Sequence, residues 1–109
     1  MTFAELKKIL ETTGYPVAYS HFTGTPLKPV PSPPYILYVS VYSSNLFADN
    51  IIHKKVDVVQ IELYTAKKDL QAESLLEKAL EENEVAWQST ETFIESEQLF
   101  QKIYEVRMI

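Results

Sequence analysis

The side chains that could carry chemistry in this sequence are few and lie far apart. The two histidines, His21 and His53, have neither a second histidine nor a carboxylate at the spacing that a metal site needs. His53 is followed directly by Lys54 and Lys55, whose charges would repel a cation. Both histidines are therefore interpreted as surface residues, and the sequence predicts no bound metal ion.

Nucleophilic, carboxylate and phosphate-binding sites also lack their usual sequence patterns. No serine lies in the Gly-x-Ser-x-Gly context of a nucleophile elbow. The two glycines, Gly14 and Gly24, are too few to build a phosphate-binding loop or a dinucleotide-binding fingerprint. Glu91, Glu95 and Glu97 are close in sequence, but catalysis by paired carboxylates also requires a cleft, which the sequence does not reveal. We therefore predict that the protein is not an enzyme and uses no cofactor.

The composition is that of an ordinary soluble domain. The chain has 109 residues, of which 46 % are hydrophobic and 23 % charged, enough for one core and a single domain over residues 1–109. No segment approaches the roughly 18 consecutive apolar residues of a membrane-spanning helix, so no membrane association is expected. The absence of cysteine excludes disulfides and thiolate metal sites, and it fits a cytoplasmic protein.

The net charge of −5 is divided unevenly along the chain. Residues 1–68 contain seven lysines and five acidic residues, a balance of +2, whereas residues 69–109 contain ten acidic residues and three basic ones, a balance of −7. An acidic chain with one arginine is a poor candidate for specific nucleic acid binding, which depends on clustered Lys and Arg. The acidic part can be a solvated helix face, or it can give the molecule unlike ends suited to head-to-tail self-association.

Two helices are predicted from their capping residues and their apolar spacing. The first begins at a capping box of Thr2 and Glu5 and ends before Gly14. The second begins after Asp69, a favourable N-cap, and Asn83 is its expected left-handed terminator. Its predicted buried stripe consists of Ala72, Leu75, Leu76, Ala79 and Leu80. The residues expected to face water are Gln71, Glu73, Lys78, Glu81 and Glu82.

Four segments have the composition of β-strands. Tyr35–Tyr42 is apolar on both faces, so it needs cover from helices on one side and a partner on the other, or from a bent sheet. The second segment, from about Ile51 to Thr65, would span about 50 Å at about 3.3 Å per residue, so its outer half should project as an arm or break at a bulge. In this second strand Val59, Ile61 and Leu63 should point inward, with Gln60 and Glu62 outward. The third and fourth strands are expected at Val85–Phe93 and Gln101–Met108, with Tyr104, Val106 and Met108 alternating along the fourth.

The segment between the first helix and the first of these strands is expected to be extended. Tyr15–Phe22 can form a short edge strand, since Pro16 cannot donate to a central ladder. Residues 23–34 contain five of the six prolines, which predicts an exposed, polyproline-like connector. The complete pattern predicts an α+β fold of order α-β-β-α-β-β, with two helices packed on one face of a four-stranded, mainly antiparallel sheet.

A β-hairpin from about Ser43 to Lys55 should protrude from this sheet, and it is the predicted protein interface. Apolar residues lie where a polar turn is expected, and burying each of them against a neighbour recovers about 1.5–3 kcal/mol. Alternatively, Phe47 folds back over its own core. The predicted interface residues are Tyr42, Asn45, Leu46, Phe47, Asp49, Lys54 and Lys55.

Structural motifs along nearly the whole chain resemble those of one family. They are the opening Thr2–Lys7, Pro34–Ile36, Tyr38, Tyr42, Ser44–Asp49, Gln60–Thr65, Lys67–Leu70, Thr92–Glu97 and Tyr104–Val106. With them the sequence resembles the tail terminator or tail completion proteins of tailed phages and prophages, which act in head-tail joining. The resemblance implies helices against a four-stranded sheet and subunits forming a ring, typically a hexamer, that caps the tail tube and provides the surface for head attachment.

The implied partners are further copies of the chain, the major tail tube protein and a head-completion or connector protein. The implied location is the host cytoplasm during assembly and then the head-proximal end of the virion tail. Two alternatives remain open. The first is another connector-region protein, such as a head completion or stopper protein. The second is a small non-enzymatic ligand-binding or regulatory module, which should have a concave pocket lined by tyrosines and Trp87.

Overall fold

The computed structural model describes residues 1–48 and 51–108, with the backbone alone for residues 43–48 and 51–55. The chain forms two helices and five strands. In chain order these are α1 (Phe3–Glu11), β1 (Val17–Tyr19), β2 (Tyr35–Ala48), β3 (Ile51–Thr65), α2 (Leu70–Glu82), β4 (Trp87–Ile94) and β5 (Leu99–Met108). The predicted α+β class is confirmed, and none of the described helices has the length and apolarity needed to cross a membrane.

The strands form one mixed sheet in the order β1-β2-β3-β5-β4, so the predicted four strands and element order are wrong by one strand. The additional strand, β1, pairs in parallel with residues 36–38 of β2, while all other pairs are antiparallel. The backbone N–H of Ile36 donates to the carbonyl of Pro16 at 2.8 Å, which lets a residue without an N–H lie directly before the strand. The edge-strand alternative for this segment is therefore the one that the structure adopts.

Both predicted helix starts are confirmed. The backbone N–H of Glu5 donates to the hydroxyl of Thr2 at 3.1 Å, and that of Ala72 donates to the carboxylate of Asp69 at 3.0 Å. The predicted end of α2 is wrong by one residue, because Asn83 has a φ of −103° and the left-handed conformation falls on Glu84, with a φ of 57°. Asn83 instead donates its side-chain amide to the carbonyl of Ala79 at 2.8 Å, in the last turn of the helix, where carbonyls need partners.

One hydrophobic core joins both helices to the sheet. Leu6 and Leu10 of α1 lie in the same buried cluster as Ala72, Leu76 and Leu80 of α2. The sheet contributes residues that the strand register aligns across neighbouring strands, here called the core face: Ile36, Tyr38, Val59, Ile61, Leu63, Tyr104, Val106 and Met108. The predicted alternation of β3 and β5 is thereby confirmed, whereas Leu75 of the predicted α2 stripe remains 38 % exposed.

The other face of β2 receives part of its cover from the chain itself. Phe22, which precedes the proline-rich connector, contacts Tyr35 edge-on with ring centroids 5.4 Å apart, and Tyr35 lies 5.1 Å from the ring of Tyr64. Leu37 and Tyr64 are buried on this face. Toward the far end of the strand the cover stops, and Tyr42 is half exposed.

Beyond the core the sheet narrows to two strands. β5 ends with Met108 opposite Asp57, and β1 covers only residues 36–38, so within the described chain residues 43–48 pair only with β3 and residues 51–56 pair only with β2. We call these two segments the hairpin arm. A bulge between Ser40 and Tyr42 marks its base, and the molecule measures 52 × 30 × 27 Å. The first long strand thus continues to Ala48 rather than ending at Tyr42, because cross-strand pairing outweighs the turn preference of its Ser and Asn residues.

Candidate protein interface

The residues that could carry out chemistry lie apart from one another in the folded chain. His21 is exposed, and its Nδ1 lies 3.2 Å from the hydroxyl of the adjacent Ser20. Glu91 is engaged by Lys68 at 2.8 Å, and Glu95 is an exposed residue of the β4–β5 turn. Among the described residues, no three His, Cys, Asp or Glu side chains are grouped so as to hold a metal ion.

The predicted interface residues fall largely on the hairpin arm. The register places Asn45 opposite Lys55 and Leu46 opposite Lys54, so these four residues are neighbours on one two-stranded ribbon. Phe47 lies opposite Ile52, within β2 rather than in a loop. The side chains of all these residues and of His53 lie outside the described atoms, so both alternatives for Phe47 stay predictions.

Tyr42 and Asp49, the two remaining predicted interface residues, have different outcomes. Tyr42, at the base of the hairpin arm, is half exposed and pairs with Val58. Asp49 lies outside the described residues. The structure thus places Tyr42 and the two ribbon strands in one continuous segment, and that segment contains six of the seven predicted interface residues.

A second candidate surface, the β4 edge, was missed by sequence reasoning. β4 pairs with β5 along its whole length without a register shift, and its other side meets no strand in the part of the chain that the structure describes. Six of its eight residues are exposed, including Ser89, Thr90 and Thr92. The signal in the sequence was the uninterrupted polar run from Gln88 to Thr92, which lacks the apolar alternation of a half-buried strand.

The opposite sheet edge is different in kind. β1 has three residues, follows Pro16 and stops at Ser20, which has a positive φ of 67°. Shortness, proline and a sharp backbone turn are the features by which native sheets block pairing at an edge. β4 has eight residues, no proline, no bulge and no lysine. One edge of this sheet is protected, and the other is open.

An ion cluster holds α2 against the sheet beside β4. The carboxylate of Glu73 accepts from Lys102 at 2.7 Å and from Lys68 at 2.8 Å, and Lys68 also reaches Glu91 at 2.8 Å. Next to it, the hydroxyl of the fully buried Tyr104 donates to Glu77 at 2.7 Å. The expectation that Glu73 faces water is therefore wrong: the residue is 7 % exposed, because two lysines compensate its charge there.

The cluster shifts the ionisation of its members in consistent directions. Burial acts to raise the pKa of Glu73, but the hydrogen bonds and charges of Lys102 and Lys68 outweigh it, and the pKa falls below its usual value. Burial acts to lower the pKa of Lys102, yet Glu73 and Glu77 raise it on balance. Burial, and then the hydrogen bond to Glu77, raise the pKa of Tyr104. Near neutral pH the pKa shifts thus favour the charged forms of Glu73, Lys68 and Lys102 and the neutral form of Tyr104.

A shallow groove of about 610 Å³ lies where β4 begins. Its lining includes Trp87, Arg107, Glu84 and Glu105. Trp87 also packs edge-on against Tyr104 at 6.1 Å, so one side of its ring belongs to the core. None of the described residues that line the groove is a tyrosine, in contrast to the pocket that the ligand-binding alternative predicts.

No protein-family model matches the sequence, and a comparison with curated proteins finds no significant match.

Proposed function

We propose that this protein is a structural component of a tailed-phage or prophage virion, with no catalytic turnover. In this proposal several copies, six by the family resemblance, form a ring that caps the tail tube and offers the joining surface for the head. Both helices pack on one face of the sheet, and the hairpin arm contacts a neighbouring subunit or the tube. The protein acts in the host cytoplasm during assembly and ends at the head-proximal end of the tail.

The observation that carries the proposal is the hairpin arm. An isolated two-stranded hairpin is at best marginally stable in water, because it has no third strand or helix to cover it. Here the arm continues for five residue pairs beyond Asp57, the last residue of β3 that β5 covers. Its sequence includes Leu46, Phe47 and Ile52, which are costly to leave in water. An arm of this kind is suited to contact another protein.

The distribution of charge supports a head-to-tail arrangement. The described part of the arm contains Lys54 and Lys55 and no acidic residue. Residues 85–98, which contain β4 and the turn after it, hold Glu91, Glu95 and Glu97 and no lysine or arginine. Heterologous contacts join two different surfaces of the same chain and can close into a ring, and opposite charges favour the correct encounter.

Tail assembly in the absence of the protein tests the proposal. If the chain is a terminator, tails assembled without it should have tubes of uncontrolled length in electron micrographs, and adding the purified protein should restore uniform tubes. Tubes of normal length that fail to join heads would instead assign the chain to the head completion or stopper proteins. A chain that stays monomeric at high concentration, with and without tail tubes, would refute a ring.

Two double variants with reversed charges test the role of the hairpin arm in that assay. Lys54→Glu with Lys55→Glu should abolish assembly or tube capping. The matched control is Lys7→Glu with Lys8→Glu, an adjacent and exposed pair on α1 that gives the same change in net charge. If both double variants reduce capping equally, net charge rather than the arm is responsible, and the arm has no special role.

The ligand-binding alternative draws on the groove beside Trp87. This residue is the only tryptophan, so a ligand in the groove should change the fluorescence of the protein and raise its melting temperature. Arg107 would favour a carboxylate. Aromatic carboxylates that leave both signals unchanged at millimolar concentration would exclude this ligand class.

A further inference from the structure

Resting on the proposed function, we propose that the open β4 edge of one copy pairs with the β2 strand of the hairpin arm of the next copy. The contact would join two sheets into one that continues from subunit to subunit. The partner is thus a second copy of this chain, and the recognition is main-chain hydrogen bonding along two strand edges that the monomer leaves unused.

The first step concerns the β4 edge itself. Unpaired strand edges promote association, and native proteins protect them with short strands, proline, lysine or bulges. β1 shows such protection, whereas Trp87–Ile94 shows none of these features over eight residues. Its only charged residue, Glu91, is already paired with Lys68. An unprotected edge of this length, on a chain that protects its other edge, is suited to receive a strand.

The second step concerns which strand it receives. In a ring, every contact joins the same two different surfaces, so the edge that meets β4 should lie on the other side of the sheet. On that side β1 covers only residues 36–38, so the side of residues 43–48 that faces away from β3 meets no strand in the described chain. Strand direction alternates from β2 through β3 and β5 to β4, so two copies in the same orientation would pair these strands antiparallel.

The third step is the match in length and charge. Six residues of strand span about 20 Å, and eight span about 27 Å, so the arm fits within the edge. Lys54 and Lys55 lie one strand away from the proposed contact, while Glu95 and Glu97 follow β4. A like-charged pair of surfaces would repel, whereas these have opposite signs.

Engineered cysteines give a direct test, because the natural chain has none. Thr90→Cys on β4 would be mixed with Ser44→Cys or with Asn45→Cys on the arm, and each mixture oxidised mildly. Adjacent strand residues point to opposite faces, so one of the two arm variants should cross-link to the β4 variant whichever way the sheets join. We expect that mixture to give at least five times more disulfide-linked dimer than either variant alone.

Ala18→Cys on the protected edge is the matched control, and it should give only background cross-linking with both arm variants. If oligomers form but no arm–β4 mixture exceeds this background, the pairing is wrong while the proposed ring stands. If no oligomer forms, even with tail tubes present, the proposed function fails as well. The two failures are therefore distinguishable.

Proline substitutions in β4 give an independent readout. Successive residues send their N–H groups to opposite edges of a strand, so of Ser89→Pro and Thr90→Pro one removes a bond to β5 and the other removes an outward donor. The variant that keeps the melting temperature should need at least a tenfold higher protein concentration to oligomerise. Retained assembly in that stable variant would overturn the proposal.

Discussion

Replacing Lys102 with Met should reveal how strongly the ion cluster holds α2 on the sheet. Nζ of Lys102 lies 2.7 Å from Oε1 of Glu73 and 3.5 Å from Oε2 of Glu77, and its side chain is only 20 % exposed. In the variant, Lys68 is the ion-pair partner that Glu73 keeps among the described residues, and the side chain of Lys68 is 44 % exposed. A carboxylate that is 10 % exposed would then be compensated mainly from solvent.

The magnitude follows from these exposures. Removing one partner of a buried ion pair costs about 3–5 kcal/mol, and a solvent-screened contact such as that of Lys68 offsets up to about 1 kcal/mol. We expect Lys102→Met to lower the free energy of unfolding by about 2–4 kcal/mol. Glu73→Gln should cost less, about 1–2 kcal/mol, because Lys102 retains Glu77.

Urea denaturation at pH 7 of the two single variants and the double variant measures these losses. The loss of unfolding free energy in the double variant should be at least about 1 kcal/mol smaller than the sum of the two single losses, because each single variant leaves a charge without its partner. Lys78→Met is the matched control: Lys78 lies 3.9 Å from Glu82, and both side chains are mostly exposed, so it should change stability by less than about 0.5 kcal/mol. Equal losses for Lys102→Met and Lys78→Met would refute the reasoning.

Two further predictions concern the same cluster. The lowered pKa of Glu73 means that the folded state binds its proton less readily than the unfolded state, so its stabilisation is present above the usual value of 4.5 and is lost as pH falls below it. Glu73→Gln should reduce this loss of unfolding free energy at low pH when stability is measured over a series of pH values. An unchanged loss would contradict the assignment. The raised pKa of Tyr104 gives the opposite sign, since its stabilisation is present below pH 10.0 and is lost as pH rises further. Tyr104→Phe should cost about 1 kcal/mol at pH 7, because it removes the hydrogen bond to Glu77, and urea denaturation showing no loss would contradict that.

The features that the sequence predicted well are those that depend on neighbouring residues. Thr2 and Asp69 cap their helices as expected because a cap needs only the first turn that follows it. The alternation in β3 and β5 predicted the core face for the same reason, since a strand period of two is visible in any short window.

The features that the sequence did not predict depend on partners that are distant along the chain. Glu73 is buried because Lys102, 29 residues further along the chain, reaches it from β5. No property of the helix sequence distinguishes this glutamate from Glu81, which is exposed. Likewise, Val17–Tyr19, the three residues after Pro16, form a strand only because they pair in parallel with β2. The hairpin arm was predicted in position, but its strand continues to Ala48 because β3 supplies cross-strand partners.

The β4 edge shows why strand order decides where an interface can form. The segments Trp87–Ile94 and Leu99–Met108 form a hairpin, and either strand of a hairpin could lie beside β3. The polar residues from Gln88 to Thr92 have little to gain from burial, whereas β5 carries side chains that belong to the core face. Burial therefore selects β5 as the inner strand and leaves the polar strand outside. The same choice that completes the core thus produces an eight-residue edge whose backbone groups are open to another strand, and the arm at the far side of the sheet is the segment of this chain best suited to provide one.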